Sequence, residues 1–133
     1  MDEGHGHVVG VGIDLVEVDR VARLLRRRRA AERLFTAGEC ETAGRGPMRA
    51  QRLAARFAAK EAVYKALGGH GPLGFQDIEV VRPAGRPAEV HLRGRTLEMA
   101  RARGVVRVLV TMSPVTGYAV AQAVALGECP CGS

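Results

Sequence analysis

Three side chains in this sequence combine types and spacing that suit phosphoryl chemistry. Asp14 ends the alternating run VVGVGID at residues 8–14, and Glu61 and Lys65 lie four residues apart in the run at 52–67, RLAARFAAKEAVYKAL. Mg²⁺ in proteins is usually held by one or two carboxylates together with waters and substrate oxygens. A lysine ammonium binds phosphate as a compact charge. Asp14 and Glu61 are therefore candidate Mg²⁺ ligands, Lys65 is a candidate phosphate contact, and all three are candidate catalytic residues.

Arginines near these side chains could supply further phosphate contacts, because the guanidinium fork matches phosphate geometry. Arg56 lies in the same run as Glu61, and Arg20 follows Asp14. Two ordinary alternatives stay open on spacing alone. Asp14 could only cap the following helix, and the run at 52–67 could be a surface helix stabilised by ion pairs.

The run that carries Glu61 and Lys65 predicts one central helix over 52–67. It is rich in alanine, the best helix former, and it contains no glycine or proline. Leu53, Phe57 and Tyr64 recur at helical spacing and predict an apolar stripe. The alanines leave room for the close approach of another backbone. Gly68 follows directly, which suits the end of a helix.

The remaining pattern predicts an α+β fold in a single small domain, residues 1–133. Residues 8–14 alternate as a strand with glycine on one face, which permits close backbone approach. The alanines of the last strand share a face where a helix could pack. Further predicted elements are helices over 15–29 and 96–103 and strands at 78–80, 90–92, 106–110 and 118–124. Residues 1–7 and 127–133 are predicted to be loose tails.

Composition favours an acidic partner. The 133 residues carry a net charge of +6, and the sequence pI is about 10.0. Aromatics make up only 4% of the chain, whereas a binder of single-stranded nucleic acid would use them for stacking, so we expect no nucleic-acid partner. Six arginines fall within ten residues and predict a docking face: Arg20, Arg23, Arg26, Arg27, Arg28 and Arg29.

Two further features bear on location and covalent chemistry. The start of the chain lacks the basic segment and apolar run of a signal peptide, and no stretch approaches the ~20 apolar residues of a membrane span. We therefore expect a cytoplasmic protein with no membrane association. Three cysteines, an odd number, argue against a disulfide framework.

Four segments together resemble one enzyme family. GIDLVEVDR at 12–20, RFAAKEAVYKALG at 56–68, FQDIEV at 75–80 and TMSPVTGYAVA at 111–121 are similar to segments of the holo-(acyl-carrier-protein) synthases, the small class of 4′-phosphopantetheinyl transferases. The likeness extends from about Val9 to Leu126. The first two segments are specific as a pair at this separation.

The resemblance implies a reaction and a fold. Enzymes of this family move the 4′-phosphopantetheine arm of coenzyme A onto a serine of an apo acyl carrier protein and release adenosine 3′,5′-bisphosphate. Their fold would pack an antiparallel sheet on the long central helix. The family is typically a homotrimer with sites between subunits, which agrees with the small aliphatic core expected from so few aromatic residues.

The same resemblance implies a role for each matching residue. Asp14 and Glu61 would hold Mg²⁺, and Lys65 would contact the pyrophosphate. Arg56 would bind the 3′-phosphate of coenzyme A, and Gly68 would also contact this co-substrate. The arginines expected to meet the carrier protein are Arg20, Arg23 and Arg27.

Pro114 departs from the family pattern, which has a histidine at that position. Proline offers no side-chain donor and no charge, so one contact to the 3′-phosphate would be lost. The charge of Arg56 could suffice, or Thr111 and Ser113 could contribute. This departure predicts weaker discrimination between coenzyme A and 3′-dephospho-coenzyme A.

Two questions stay open at the level of sequence. The departure at Pro114 keeps an alternative function in play, that of a weakened or inactive paralogue that binds carrier proteins. The general base that accepts the serine proton is not evident, and Glu39 is a candidate from its position alone.

Overall fold

A computed structural model describes residues 6–128 as an α+β domain, which confirms the predicted fold class. Strands β1, β5 and β4 form an antiparallel sheet in that order, and β2 pairs antiparallel with β3. The elements in chain order are β1 (Gly6–Glu17), α1 (Val18–Leu25), α2 (Arg28–Leu34), α3 (Ala37–Ala43), α4 (Arg49–Ala66), a 3₁₀ turn (Phe75–Asp77), β2 (Ile78–Val81), β3 (Glu89–Leu92), α5 (Gly94–Ala102), β4 (Val105–Val115) and β5 (Tyr118–Glu128). None of these helices is long and apolar enough to cross a membrane.

Helix α4 packs against one face of the three-stranded sheet at very short range. A Cβ atom added to Gly10 would overlap the carbonyl oxygen of Ala66, and one added to Gly12 would overlap that of Ala62. On β5, the alanines that share a face are all buried: Ala119, Ala121, Ala123 and Ala125. The predicted use of glycine and alanine for close backbone approach is therefore confirmed.

Half of the 18 residues of α4 are buried, so the alternative of a surface helix is wrong. Five of these nine buried residues are alanines. Leu53 is fully buried, whereas Phe57 and Tyr64 are only half-buried. The predicted apolar stripe therefore contributes less to the core than the small residues do. Two charged residues of α4, Arg56 and Lys60, are buried as well.

A fully buried ion pair joins α4 to α3. The Lys60 ammonium lies 2.6 Å from Glu39 Oε1 and donates to the carbonyl of Leu34 at 2.8 Å. Burial lowers the pKa of Lys60, and the charge of Glu39 opposes that effect. Because Lys60 contacts the end of α2 and the start of α3, the pair fixes both helices against α4.

The carboxylate of Glu39 is used entirely within the protein. Its Oε1 also accepts the N–H of Thr36 at 2.9 Å in a capping box, and its Oε2 accepts the N–H of Val80 at 2.8 Å. With no exposed surface and both oxygens engaged, Glu39 cannot reach a substrate hydroxyl. The suggestion that it is the general base is wrong.

Two predicted boundaries also need correction. Residues 15–29 do not form one helix. Strand β1 continues through Leu15 and Val16, which pair with Val120 and Ala119 of β5. The helical segment that follows is then broken at Arg26 and Arg27.

The predicted tails are too long on both sides. Gly6 pairs with Glu128 and His7 pairs with Gly127, so these four residues belong to the sheet. The rest of the predicted tails, residues 1–5 and 129–133, lies outside the described residues.

Candidate active site

Asp14 and Lys65 meet where β1 crosses α4. Strand alternation places Asp14 on the same face as Gly10 and Gly12, the face that packs against the helix. The Lys65 ammonium donates to Asp14 Oδ1 at 2.9 Å and to the carbonyl of Ile13 at 3.3 Å. The side chain of Lys65 is half exposed and that of Asp14 is 19% exposed, so the pair remains accessible to a ligand.

Glu61 belongs to the same charged group. Burial raises the pKa of Glu61, the negative charge of Asp14 raises it further, and the charges of Lys65 and Arg20 oppose both effects. Two carboxylates therefore repel each other in a partly buried place beside one ammonium and one guanidinium. The structure brings together all three predicted catalytic residues, with Arg20 beside them.

The two carboxylates fit the way in which Mg²⁺ is usually bound. Asp14 and Glu61 repel each other, and a divalent cation between them would remove that repulsion. Between residues 6 and 128, no three or more His, Cys, Asp or Glu side chains are grouped to hold a metal ion. A cation held here would therefore complete its coordination with waters and substrate oxygens, as Mg²⁺ characteristically does.

The arginine-rich segment lies next to this group and faces solvent. Arg20 and Arg23 lie on α1, and Arg27 lies at the break between α1 and α2; all three are exposed. The charge of Arg20 reaches Glu61, so the basic surface adjoins the carboxylate pair. An acidic protein bound to this surface would lie within reach of the candidate site.

Arg56 lies elsewhere on α4. It precedes Glu61 by five residues, which places the two about 140° apart around the helix axis. Its side chain is only 6% exposed, and it donates to the carbonyl of Arg52 at 3.1 Å. The charges that act on it come from Glu39, Arg82 and Arg52. Within one chain, Arg56 is therefore not part of the Asp14–Glu61 group.

Thr111 and Ser113 lie on the sheet face that points away from α4. Both are exposed, and they alternate along β4 with buried Val110 and half-buried Met112. Pro114 is also exposed, and β4 forms an edge of the three-stranded sheet, where a missing N–H is tolerated. Thr111 and Ser113 are therefore separated from the carboxylate pair by the thickness of the sheet.

Gly68 ends α4 with a positive φ of 76°, a conformation that favours glycine. A Cβ atom at this position would lie 2.6 Å from Cζ of Arg103, so a guanidinium group packs directly on the glycine. Gly68 is close in sequence to Lys65. The arginine that packs on it, Arg103, is not among those that the sequence suggested for binding phosphate or the carrier protein.

Arg52 and Arg82, the charged neighbours of Arg56, were not identified from the sequence. Signals for both were present. Arg52 precedes Arg56 by one helical turn, and Arg82 continues the inward alternation of Ile78 and Val80. Strand parity therefore pointed Arg82 toward α4.

Comparison with known proteins agrees with this geometry. The family model for the 4′-phosphopantetheinyl transferase superfamily matches residues 10–123. A holo-(acyl-carrier-protein) synthase of Clavibacter michiganensis is 42% identical over 122 residues, which cover 91% of this chain and 98% of that protein.

Two solved structures extend the likeness to the fold. The crystal structure of the holo-ACP synthase from Plasmodium yoelii superposes with a TM-score of 0.81 at 26% identity and covers 94% of this chain and 99% of that one. The ACPS–CoA complex of Chronobacterium ammoniagenes superposes with a TM-score of 0.76 at 27% identity and covers 90% and 98%. The chain therefore belongs to the 4′-phosphopantetheinyl transferase superfamily, as an enzyme of the holo-(acyl-carrier-protein) synthase family.

Proposed function

We propose that this enzyme transfers 4′-phosphopantetheine from coenzyme A to a serine of an apo acyl carrier protein, that the reaction depends on Mg²⁺, and that adenosine 3′,5′-bisphosphate is released. One observation supports this most strongly: β1 and α4 bring Asp14, Glu61 and Lys65 into one accessible group. A related chain that keeps the fold has been solved with coenzyme A bound.

The chemistry assigns a task to each member of the group. The serine oxygen bonds to the phosphorus nearer the pantetheine, and the serine proton is released to solvent. The bond from that phosphorus to the bridging oxygen breaks, and the bridging oxygen leaves as part of adenosine 3′,5′-bisphosphate. Asp14 and Glu61 would hold Mg²⁺, which would supply positive charge against the negative charge on the pyrophosphate oxygens. Lys65, held at the site by its ion pair with Asp14, supplies a second positive charge to the phosphates.

The exposed arginines of α1 and the α1–α2 break are proposed to bind the carrier protein. Exposed ion pairs are individually weak, but several together steer the encounter of oppositely charged proteins. Because the basic surface adjoins Glu61 through Arg20, a carrier protein bound there would present its serine beside the carboxylate pair.

Charge reversal of Arg23 and Arg27 tests this surface. The double variant Arg23→Glu/Arg27→Glu is expected to raise KM for the carrier protein by about tenfold or more, because attraction becomes repulsion. KM for coenzyme A should change little, and added salt should weaken native carrier binding in the same direction. Arg101→Glu reverses an exposed charge on α5 and is the control for net charge. It is compared with the single variant Arg23→Glu, which changes the net charge by the same amount. Equal effects on the two substrates would contradict the assignment.

We also propose that the enzyme is a homotrimer with sites shared between subunits. The sheet face away from α4 exposes a row of apolar side chains from three strands, formed by Val11, Val124 and Leu109. Val11 is 67% exposed and Leu109 is 42% exposed. Thr111 lies in the next row with Ile13, and Ser113 in the one after with Leu15.

This face is large, apolar and continuous with Thr111 and Ser113, so another copy that covered it would also contact those two residues. Thr111 and Ser113 could then serve a site completed by a neighbouring subunit. Sites shared between subunits would also account for the separation of Arg56 from Glu61 within one chain. Arg56 and Glu61 of the same chain could act on ligands that are held by different pairs of subunits.

Lysine substitutions on this face are expected to dissociate the assembly. Val11→Lys/Leu109→Lys places two charges in the proposed interface, where unpaired buried charge is costly. Sedimentation should show the native enzyme at three times the chain mass and the variant as a monomer with most activity lost. Met48→Lys alters an exposed apolar residue outside the sheet and should leave mass and activity unchanged. A fully active native monomer would rule out the shared site.

A further inference from the structure

Tyr64 of α4 fixes a glycine-rich loop. Residues 68–74, GGHGPLG, follow α4 after Leu67, and four of these seven residues are glycine. Glycine loses more backbone freedom on ordering than any other residue, so such a loop needs contacts that fix it. The Tyr64 hydroxyl donates to the carbonyl of His70 at 2.9 Å and lies 3.2 Å from the carbonyl oxygen of Pro72. One side chain of α4 therefore fixes the middle of the loop.

The start of the loop is fixed by two further contacts. A Cβ atom added to Gly69 would lie 2.5 Å from carbon atoms of the Tyr64 ring, so the ring packs directly on this glycine. The guanidinium of Arg103 packs on Gly68 in the same way. Tyr64 immediately precedes Lys65, and Gly68 follows Lys65 by three residues. The ordered loop therefore begins beside the candidate active site.

A cavity of 630 Å³ lies between this loop and α5. Tyr64 lines it from α4, Leu73 and Met99 supply apolar surface, and charged side chains lie elsewhere along its wall. Thr96, which is only 4% exposed, adds a hydroxyl. Cavities of roughly 300–1,000 Å³ with apolar walls and a few polar groups are typical of small-molecule sites. Because Tyr64 adjoins Lys65, a ligand whose phosphates lie at Lys65 would extend into this cavity.

We propose that Tyr64 is a positioning residue that holds the 68–74 loop as one wall of a binding site for the pantetheine arm of coenzyme A. The identity of the ligand rests on the proposed function. The arm carries paired methyl groups, a hydroxyl and two amides, so it combines apolar and hydrogen-bonding groups as the cavity does. Tyr64 touches none of the reacting groups. It acts because a loop that is ordered before the arm binds adds no ordering cost to binding.

Two nucleotides isolate the contribution of the arm. Coenzyme A carries the arm, whereas adenosine 3′-phosphate 5′-diphosphate keeps the pyrophosphate and the 3′-phosphate without it. Calorimetry measures the affinity of both for native protein and for Tyr64→Phe, which keeps the ring and loses the hydroxyl. Tyr64→Phe should weaken binding of coenzyme A by roughly two- to tenfold, the range of one net hydrogen bond. Binding of the arm-free nucleotide should not change.

Kinetics provide a second readout. In a transfer assay, Tyr64→Phe should raise KM for coenzyme A by a factor similar to its loss of affinity. The value of kcat should stay near native, because Asp14, Glu61 and Lys65 are untouched. Tyr118→Phe removes the same hydroxyl from an exposed residue of β5 and should leave both affinities at their native values.

Alanine at position 69 tests the contact between the ring and the loop. Gly69 does not have a positive φ, so alanine is compatible with its backbone but would collide with the Tyr64 ring. Gly69→Ala alone should weaken binding of coenzyme A. The same change in a Tyr64→Ala background should cost little more, because the ring is gone.

The outcomes of Tyr64→Phe distinguish this proposal from the proposed function. Equal losses of affinity for the two nucleotides, or no loss for either, would overturn the role of Tyr64. A loss confined to kcat would also overturn it, because Tyr64 would then act on Lys65 rather than on the loop. A selective loss of coenzyme A binding, in a protein that transfers nothing, would instead refute the proposed function and leave the role of Tyr64 standing.

Discussion

Alanine in place of Asp14 or of Glu61 is expected to abolish transfer while the protein stays folded. Either change removes one of the two carboxylates proposed to hold Mg²⁺. Metal stabilisation of a phosphoryl transition state contributes several kcal/mol, so the loss should be about a thousandfold or more. The measurement is kcat/KM over a range of Mg²⁺ concentrations, with circular dichroism to verify the fold. Activity close to native at limiting Mg²⁺ in either variant would contradict the shared cation.

The variant Glu61→Gln distinguishes an effect on catalysis from an effect on folding. The folded protein raises the pKa of Glu61, so the stability that this carboxyl contributes is present at low pH and is lost as pH rises through its folded value. In its ionised form the carboxylate therefore opposes folding. Glu61→Gln should lose activity but show an unchanged or slightly higher Tm. Glu98→Gln changes an exposed helical carboxylate on α5 and should affect neither property.

The second large effect concerns the buried pair of Lys60 and Glu39. Lys60→Met should lower the free energy of unfolding by about 3–5 kcal/mol, because it leaves the carboxylate of Glu39 buried without its counterion. For a domain of ordinary stability, roughly 5–15 kcal/mol, that is a large share. Urea unfolding followed by circular dichroism measures the change.

The double variant Lys60→Met/Glu39→Gln should recover much of the lost stability, because it buries no charge. Arg93→Met provides the comparison. It breaks the pair between Arg93 and Glu79, in which Arg93 is 54% exposed, and exposed pairs contribute at most about 1 kcal/mol. A loss from Lys60→Met no larger than that from Arg93→Met would show that the buried pair does not stabilise the fold.

Residue pattern was sufficient for the architecture. The alternation of Gly10 and Gly12 and the alanines of α4 and β5 predicted close packing of helix on sheet, and that packing is observed. Pattern was insufficient where neighbouring elements decide the outcome. Leu15 and Val16 suit either a helix or a strand, and it is pairing with β5 that keeps them in β1.

The sequence likewise predicted one part of the candidate site and missed another. Residue type and spacing, and then the resemblance, selected Asp14, Glu61 and Lys65, and the structure places them together. It could not show that Arg56 and Glu61 point to different sides of α4, although their spacing of five implies it. The alternation along β4 likewise places Thr111 and Ser113 away from the helix.

Glu39 was the clearest error. The capping box formed by Thr36 and Glu39 was visible in the sequence as a threonine followed three residues later by glutamate. That pattern favours a structural role over a catalytic one. The contact with Lys60 depends on how α3 packs against α4, and spacing along the chain carries no information on it.

The most direct test is an incubation of the native enzyme with coenzyme A, Mg²⁺ and several apo acyl carrier proteins, followed by intact-mass measurement of each carrier. Transfer predicts a gain of one phosphopantetheine group on the carrier serine, dependent on Mg²⁺ and absent in Glu61→Ala. A carrier protein that binds the native enzyme but gains no mass, under conditions in which a relative modifies it, would contradict transfer and would favour a carrier-binding paralogue.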